Sequence, residues 1–325
     1  MVEQANCLQS YLGAGIELSP FLLKRDINPY SGKFKFITWD DHKDVILATT
    51  TSYKNMENPS DKLRAGLALQ MIRTAMGNGY NVVVVDAGSD AGWKNCVKAI
   101  DGVTLVDENL TNYVGQNFMG KSRRQSLDVA VNKGNHKVIV WIEPEKYPMI
   151  CNESNSRSPL ARFVSPIYYG IADIVIPRRI DSLQSYPLQQ QMEELTGNLT
   201  LFDMVRSYVQ EKVNVESANN VPYLDYWVGP RAISRDSIDA FLKYTGMVSN
   251  QQHDRWESIF NPVVSEMLSG KVVRGVPVHY IHPPEQSQLE ASDPSFSAKR
   301  VDQLVSIVAG VKNLLLGYKG DVVIR

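Results

Sequence analysis

Short runs of consecutive apolar residues alternate along the first half of the chain with longer segments of helical periodicity. The apolar runs are Asp44–Thr50, Asn81–Asp86, Val103–Val106 and Val138–Ile142. Because they lack polar/apolar alternation, they predict strands buried on both faces, as in the middle of a mostly parallel sheet.

The segments between these runs predict helices over residues 58–77, 90–99 and 119–133. In the first, apolar residues recur every four positions and define one helical face: Leu63, Leu67, Met71 and Ala75. Strand and helix thus alternate, which favours an α/β fold with a mostly parallel central sheet, crossover helices on both faces and a Rossmann-like N-terminal half.

The pattern is less regular elsewhere. Residues 33–39 largely alternate polar and apolar, which predicts a half-buried or edge strand. After residue 145, further strands are predicted over 172–177 and 272–282. Helices are predicted over 159–169, 184–213, 236–244, 255–269 and 297–316. Residues 1–32 are mixed in character and are interpreted as an N-terminal extension.

Composition restricts the classes of function. The chain has 325 residues and a net charge of −1, so no basic field suggests nucleic-acid binding. No apolar run approaches the roughly 20 residues that span a bilayer. Cys7, Cys96 and Cys151 fit neither a disulfide framework nor a zinc site. With no signal peptide visible at the start, these features predict a cytoplasmic protein.

Two carboxylates follow the buried run Val138–Ile142. Glu143 and Glu145 flank Pro144, which ends the strand because it has no N–H to donate. Side chains two residues apart at a strand end point to the same side, at the edge where ligands bind in open α/β sheets. The pair could hold a divalent cation and, through it, phosphates. The alternative is a solvated charged loop.

The second apolar strand ends in Asp86-Ala-Gly-Ser-Asp90. A carboxylate at this position can accept hydrogen bonds from a base or ribose, and glycine allows close approach of the backbone. The segment is neither a GxGxxG motif nor a P-loop. A helix-capping aspartate is the alternative interpretation.

A basic group follows Gly120 at the start of a predicted helix. Lys121, Arg123 and Arg124 are placed on its polar face. Helix N-termini favour phosphate, and arginine suits phosphate oxygens. The alternative is a solvated helix face.

Candidate groups also occur in the second half. Asp225 lies among Tyr223, Tyr226 and Trp227, a composition suited to binding a sugar or to forming a structural aromatic cluster. His279 and His282 end the last predicted strand. Because residues three apart on a strand face opposite sides, one histidine could join Glu143 and Glu145 on a metal, whereas both could do so only if the strand breaks.

The order of these features resembles that of a nucleotide-diphospho-sugar transferase with the GT-A fold. The matching segments are Ala48-Thr-Thr-Thr-Ser52, Asp86-Ala-Gly-Ser89, Gly120-Lys-Ser-Arg-Arg124 and Glu143-Pro-Glu145. The segment Ala172-Asp-Ile-Val-Ile-Pro-Arg-Arg179 is similar to a strand in the mannosylglycerate synthase and glucosyl-phosphoglycerate synthase branch. The resemblance covers roughly residues 42 to 285.

The resemblance implies a single GT-A-like domain over residues 33–325. Its nucleotide-binding half would span about 42–150 and its acceptor half about 151–285, with a C-terminal helix over 297–316. It also implies roles for individual residues. Those expected at the nucleotide and its phosphates are Thr49, Ser52, Asp86, Gly88, Ser89, Lys121 and Arg124. Asp225 would bind the acceptor or act as base. Those expected at a Mn²⁺ or Mg²⁺ ion are Glu143, Glu145, His279 and His282.

The partners implied are a nucleotide-sugar donor and a small-molecule or glycan acceptor. The chain departs from the family where Glu-Pro-Glu replaces Asp-x-Asp, because glutamate carries its carboxylate one methylene further out. Mg²⁺ requires near-ideal octahedral geometry, whereas Mn²⁺ could still fit. Alternatively Lys146, with Arg123 or Arg124, could neutralise the diphosphate without metal.

Two other functions stay open. One is a nucleotide-sugar-binding or scaffold protein that has lost catalysis, which the altered metal motif suggests. The other is a sugar-phosphate nucleotidyltransferase, which is disfavoured because no glycine-rich basic phosphate loop occurs near the N-terminus.

Overall fold

The computed structural model describes residues 35–115, 117–151, 158–180 and 185–325. The predicted N-terminal extension, residues 1–32, lies outside this part of the chain. From Ile37 to Arg325 the chain forms one compact unit.

A seven-stranded sheet forms the centre of this unit. Its strands are β1 (Val45–Thr51), β2 (Asn81–Asp86), β3 (Thr104–Asp107), β4 (Val138–Trp141), β5 (Ile174–Arg179), β6 (Arg231–Ser234) and β9 (Val273–Val278). Their spatial order is β3-β2-β1-β4-β6-β5-β9. Two further strands, β7 (Met247–Val248) and β8 (Gln251–Gln252), pair with each other.

Six of the seven strands run in one direction. Strand β1 pairs in parallel with β2 and β4, and β3 pairs in parallel with β2. Strands β5 and β9 are also parallel, whereas β6 lies antiparallel between β4 and β5. The predicted α/β fold with a mostly parallel central sheet is therefore confirmed.

Helices surround the sheet. They are α1 (Pro59–Gly77), α2 (Ala91–Lys98), α3 (Phe118–Asn132), α4 (Pro159–Tyr168), α5 (Leu188–Lys212), α6 (Val215–Asn219), α7 (Ile238–Leu242), α8 (Asn261–Leu268), α9 (Pro284–Ser292) and α10 (Pro294–Gly317). Helix α3 packs on β1, β2 and β4, and α4 packs on β5, β6 and β9. Strand residues such as Ile46 and Ile139 are fully buried between these layers.

Local chemistry explains where the first helices begin. Asn58, Asp90 and Asn117 are the N-cap residues of α1, α2 and α3, and each side chain accepts hydrogen bonds from main-chain N–H groups of the first turn. These bonds satisfy donors that have no partner within the helix. The predicted helices between the apolar strands are thus confirmed.

Three predicted elements differ from the structure. The described part of the segment 33–39 forms no strand, because Thr38 and Asp41 form a capping box that starts a 3₁₀ helix at Trp39. The helix predicted over 255–269 is divided into a 3₁₀ turn, Trp256–Ile259, and α8, which has Pro262 in its first turn. Strand β9 ends at Val278, before both histidines.

A strand of the central sheet was missed, and one helix face was predicted wrongly. Strand β6 was missed because its four residues directly follow the aromatic, turn-rich segment 222–230. Arg123 and Arg124 were placed on a polar helix face, and this was wrong: both are buried, since α3 packs that side against the protein interior.

Candidate functional site

The parallel strands end at one edge of the sheet, and the loops that follow β1 and β2 are joined there. Thr51 Oγ1 donates to Asp86 Oδ1 at 2.8 Å, and the Tyr53 N–H donates to Ser89 Oγ at 2.8 Å. The Asp90 N–H donates to the Tyr53 carbonyl at 2.8 Å. These bonds fix the two loops that the resemblance assigns to the nucleotide.

Asp86 uses its carboxylate to build this turn. Its Oδ2 accepts the N–H groups of Gly88 and Ser89, at 3.1 and 2.9 Å. Gly88 has φ +85°, a conformation that glycine adopts without strain. Thr49 is buried with no hydrogen-bond partner for Oγ1 among the described residues, and Ser52 is exposed. A nucleotide at this edge would meet Ser52 and the turn backbone before the Asp86 carboxylate.

The three basic residues of the predicted basic helix make different contacts. Arg124 forms two hydrogen bonds of 2.8 Å with the carboxylate of Asp254. Arg123 donates to Ser258 Oγ and lies over the Trp141 ring. Lys121 is half-buried. Because Asp254 occupies the Arg124 guanidinium, binding phosphate there would require this buried ion pair to break.

Glu145 connects the loop after β4 to the loop after β1. It is buried, and its Oε1 is 2.6 Å from Arg64 Nη2 and accepts the Tyr53 hydroxyl at 3.2 Å. Glu145 therefore already has a positive partner, which reduces its availability for a cation.

Glu143 lies in a different environment. Its carboxylate contacts Gly229, where an added Cβ would lie 1.7 Å from Oε1, and its Oε2 is buried with no hydrogen-bond partner among the described residues. Burial raises the pKa of Glu143, and the nearby charges of Lys146, Arg123 and Arg231 oppose this only in part. Glu143 is thus a carboxylate with unused hydrogen-bonding capacity.

Lys146 lies on an aromatic surface that no single sequence segment predicts. Its ammonium is 3.3 Å from the Tyr186 hydroxyl and lies 5.6 and 5.2 Å from the ring centroids of Tyr186 and Tyr280. Such placement stabilises a cation electrostatically. Lys146 as a whole is half-buried. Its ammonium thus lies at the same edge of the sheet as Glu143 and Glu145, on a surface formed by two tyrosines.

Asp225 belongs to a buried ionic network. Arg179 donates to both of its carboxylate oxygens at 2.7 Å, and Asn198 donates to it at 3.1 Å. Arg179 also contacts Glu194 at 2.6 Å, and Arg300 contacts Glu194 at 2.5 Å. We refer to Asp225, Arg179, Glu194 and Arg300 as the Arg179 network.

The Arg179 network changes the chemistry of Asp225. Burial by itself would raise the pKa of Asp225, but Arg179 and the hydrogen bonds from Arg179 and Asn198 hold it below its usual range. A base needs a pKa near the operating pH. The arrangement therefore favours a positioning role for Asp225 over the predicted acid–base role.

The predicted metal ligands are not brought together. His282 contacts Glu290 at 3.1 Å, whereas His279 has an exposed side chain. Across the described ranges, no group of three or more histidine, cysteine, aspartate or glutamate side chains is placed to hold a metal ion. The four predicted ligands therefore do not form a common site, and the metal stays a prediction.

Several residues at this edge were not predicted as functional. Glu194, Tyr186, Tyr280 and Arg231 were missed, and Arg179 was noted only as the end of a strand. The available signal was weak, since each lies in a segment interpreted as helix, loop or strand end. Their relation to Lys146 and Asp225 arises from contacts between distant segments.

Comparisons with known proteins bear on the fold. No protein-family model and no curated protein sequence matches the chain. Among solved structures, glucosyl-3-phosphoglycerate synthase from M. tuberculosis is 12% identical over 87% of each chain, with a TM-score of 0.49. A mycobacterial protein is 12% identical and has a TM-score of 0.50, over 87% of this chain and 78% of that chain.

A nucleotide-diphospho-sugar transferase from Desulfovibrio desulfuricans G20 is 10% identical, over 83% of this chain and 98% of that chain, with a TM-score of 0.39. At these identities the likeness concerns the fold alone. At that level, the likeness to the mycobacterial protein agrees with the α/β fold and the mostly parallel sheet observed here. Within the described part of the chain, no helix combines the length and apolarity needed to cross a bilayer.

Proposed function

We propose that this protein transfers a sugar from a nucleotide diphosphate sugar to an acceptor. Lys146 is the observation that carries the proposal. It is a half-buried lysine whose ammonium is held over two tyrosine rings, in the loop that follows β4 at the carboxyl edge of an α/β sheet. Ligands of open α/β sheets bind at this edge. The resemblance of segments such as Asp86-Ala-Gly-Ser89 and Glu143-Pro-Glu145 to those of nucleotide-diphospho-sugar transferases supports the same conclusion.

The chemistry requires positive charge near the leaving group. An acceptor hydroxyl attacks the anomeric carbon, the bond from that carbon to the diphosphate breaks, and the nucleotide diphosphate leaves with the electron pair, while the proton of the hydroxyl passes to the departing diphosphate or to solvent. Charge that develops on the diphosphate is stabilised by preorganised cations. We assign this role to Lys146, with the loops around Ser52 and Gly88 at the nucleotide.

The remaining predicted roles are proposals that binding and transfer assays test. Glu143 is the candidate to meet a cation, because its Oε2 has no partner among the described residues, while Glu145 is held by Arg64. Asp225 positions Arg179. If Asp225→Asn leaves turnover intact in a variant that still folds, its predicted role as base is wrong.

Calorimetric titration of UDP-, GDP- and ADP-sugars, each with Mn²⁺, Mg²⁺ or EDTA, tests the proposal. We expect one donor to bind, and Lys146→Met to weaken it by about 10- to 100-fold through loss of a charge-assisted contact. Lys137→Met is the matched control. Lys137 also lies over a tyrosine ring, that of Tyr168 at 4.2 Å, but it precedes β4 at the opposite edge.

The outcomes separate the alternatives. Binding lost with EDTA and in the Glu143→Gln/Glu145→Gln variant would place a metal at these glutamates. Binding without transfer to any acceptor tested would indicate a nucleotide-sugar-binding protein. Pyrophosphate release from a sugar phosphate and a nucleoside triphosphate would indicate a nucleotidyltransferase. If no donor binds, the transferase proposal is wrong.

A further inference from the structure

A chain of contacting side chains ends at Lys146. Glu290 of α9 lies 3.1 Å from His282 Nε2, and His282 Nδ1 lies 3.3 Å from the Tyr280 hydroxyl. The Tyr280 ring in turn lies next to Lys146, with 5.2 Å between the ring centroid and Nζ. We refer to Glu290, His282 and Tyr280 as the Lys146 support.

The partners of His282 define its tautomer. Burial by itself would raise the pKa of the Glu290 carboxyl, but contact with His282 more than offsets this, and the pKa is lowered overall. Glu290 is therefore an ionised carboxylate, which can only accept hydrogen bonds. Nε2 therefore carries the proton. With Nε2 donating to Glu290, the neutral ring has its lone pair on Nδ1, which accepts the Tyr280 O–H.

The support is rigid because its members are buried and packed. The His282 ring is stacked on Tyr186 with 4.1 Å between centroids, and its main-chain N–H donates to Ser185 Oγ at 2.9 Å. Tyr280 is 1% exposed and His282 is 2% exposed. Neither ring can turn without breaking this packing.

We propose that Glu290, His282 and Tyr280 are positioning residues that aim the Lys146 ammonium at the diphosphate of the donor, an inference that rests on the proposed function. The bond between the Tyr280 hydroxyl and His282 holds the Tyr280 ring against Lys146, where the ring attracts the ammonium electrostatically. Tyr186 supplies an acceptor oxygen at 3.3 Å. Because an ammonium has three donors, protons remain for a phosphate oxygen once this contact is made. His282 then acts through Tyr280, which differs from its predicted role as a metal ligand.

The same molecule contains a matched control. At the opposite edge of the sheet, the Tyr80 hydroxyl lies 3.1 Å from His42 Nε2, and the two rings are stacked at 4.1 Å. Tyr80 is also 1% exposed. Tyr80→Phe and Tyr280→Phe therefore each remove a buried hydroxyl bonded to a buried histidine, but only Tyr280 contacts Lys146.

The first measurement is pyrophosphate and UDP, GDP and ADP affinity by calorimetry, with pH and salt held constant. We expect Tyr280→Phe, which frees the ring beside Lys146 from its bond to His282, to weaken binding by about 5- to 10-fold, as for loss of one hydrogen bond, and Tyr80→Phe to leave it within about 2-fold. His282→Gln should weaken binding less than His282→Leu, since glutamine retains an acceptor. Equal affinity of wild type and Tyr280→Phe would overturn the proposal.

The second measurement does not require a nucleotide. In protein labelled with ¹⁵N at lysine and histidine, we expect His282 to show the neutral Nε2–H tautomer and the Lys146 ammonium protons to exchange more slowly than those of Tyr280→Phe. If wild type binds no nucleotide but these signals hold, the proposed function fails while the support stands. A cationic or rapidly exchanging His282, or Lys146 exchange unchanged in Tyr280→Phe, would overturn the support itself.

Discussion

Asp225 is buried and Glu143 is half-buried with its Oε2 inaccessible, and both lie at the same edge of the sheet, yet their surroundings act on their pKa values in opposite directions. Asp225 receives three hydrogen bonds from Arg179 and one from Asn198, and its pKa is lowered. Glu143 lies against the Gly229 backbone with one oxygen that has no partner among the described residues, and its pKa is raised. Burial disfavours the charge of both, so the difference lies in their partners.

The two carboxylates therefore suit different roles, Asp225 in stabilising the fold and Glu143 in chemistry. A carboxylate whose oxygens are taken by a guanidinium contributes to the folded state but has little capacity for a substrate. A carboxylate with a raised pKa and an unpaired oxygen has the properties found at reactive sites. Glu143 and Lys146 are therefore better candidates for chemistry at this edge than Asp225.

The largest expected effect is on stability when Asp225 is neutralised. Asp225→Asn leaves a fully buried guanidinium with Glu194 as its remaining anionic contact, and we expect a loss of about 3–5 kcal/mol. Asp44→Asn is the control, because its ion pair with Lys137 at the opposite edge is partly exposed and should contribute about 1 kcal/mol or less. Urea denaturation measures both, and similar losses would contradict the comparison.

Gly229→Ala tests the contact of Glu143 with the backbone. Gly229 has φ +83°, and its new Cβ would overlap the Glu143 carboxylate, so we expect a loss of about 2–5 kcal/mol from strain and overpacking. Gly170→Ala is the matched control, because Gly170 also has a positive φ of +69° but has open space around it. This substitution should lower the free energy of unfolding by only about 1–2 kcal/mol. Thermal and denaturant unfolding of both would show the difference, which should shrink when Glu143→Ala is added to Gly229→Ala.

Acid should remove the stability that the Arg179 network contributes. The folded-state pKa values of Asp225 and Glu194 are depressed, so the stability they contribute is present above their unfolded values of about 4 and is lost as pH falls through the folded values. We expect wild-type stability to decline steeply below about pH 4, and Asp225→Asn to show a shallower decline. If the free energy of unfolding declined with the same slope below about pH 4 in both proteins, this would contradict the ionic role of Asp225.

The smallest expected change in stability is that of Glu143→Gln, and its dependence on pH is opposite to that expected for Asp225. Because the folded-state pKa of Glu143 is raised, its charge costs stability as pH rises above its unfolded value of about 4.3. Glu143→Gln should therefore be within about 1 kcal/mol of wild type, with its relative stability greater at pH 8 than at pH 4. A relative stability that falls as pH rises would show that Glu143 is stabilised as an anion.

Much of the fold was predictable from local patterns. The apolar runs that became β1, β2 and β4 are buried on both faces, and the caps Asn58 and Asp90 begin helices at the expected places. By contrast, the strand predicted over residues 33–39 failed because the Thr38–Asp41 capping box was not recognised. Strand β6 was missed because its antiparallel pairing with β4 and β5 is a long-range event.

For the candidate site, the sequence by itself determined that Glu143, Glu145 and Lys146 follow a buried strand and lie at the ligand-binding edge of the sheet. Only the tertiary structure decided which charges neutralise each other. Arg179 meets Asp225 46 residues away, and Arg124 meets Asp254 130 residues away. Strand and helix periodicity follow from neighbouring residues, whereas the partner of a buried charge depends on which distant segments pack together, and this partner sets its pKa and its availability for chemistry.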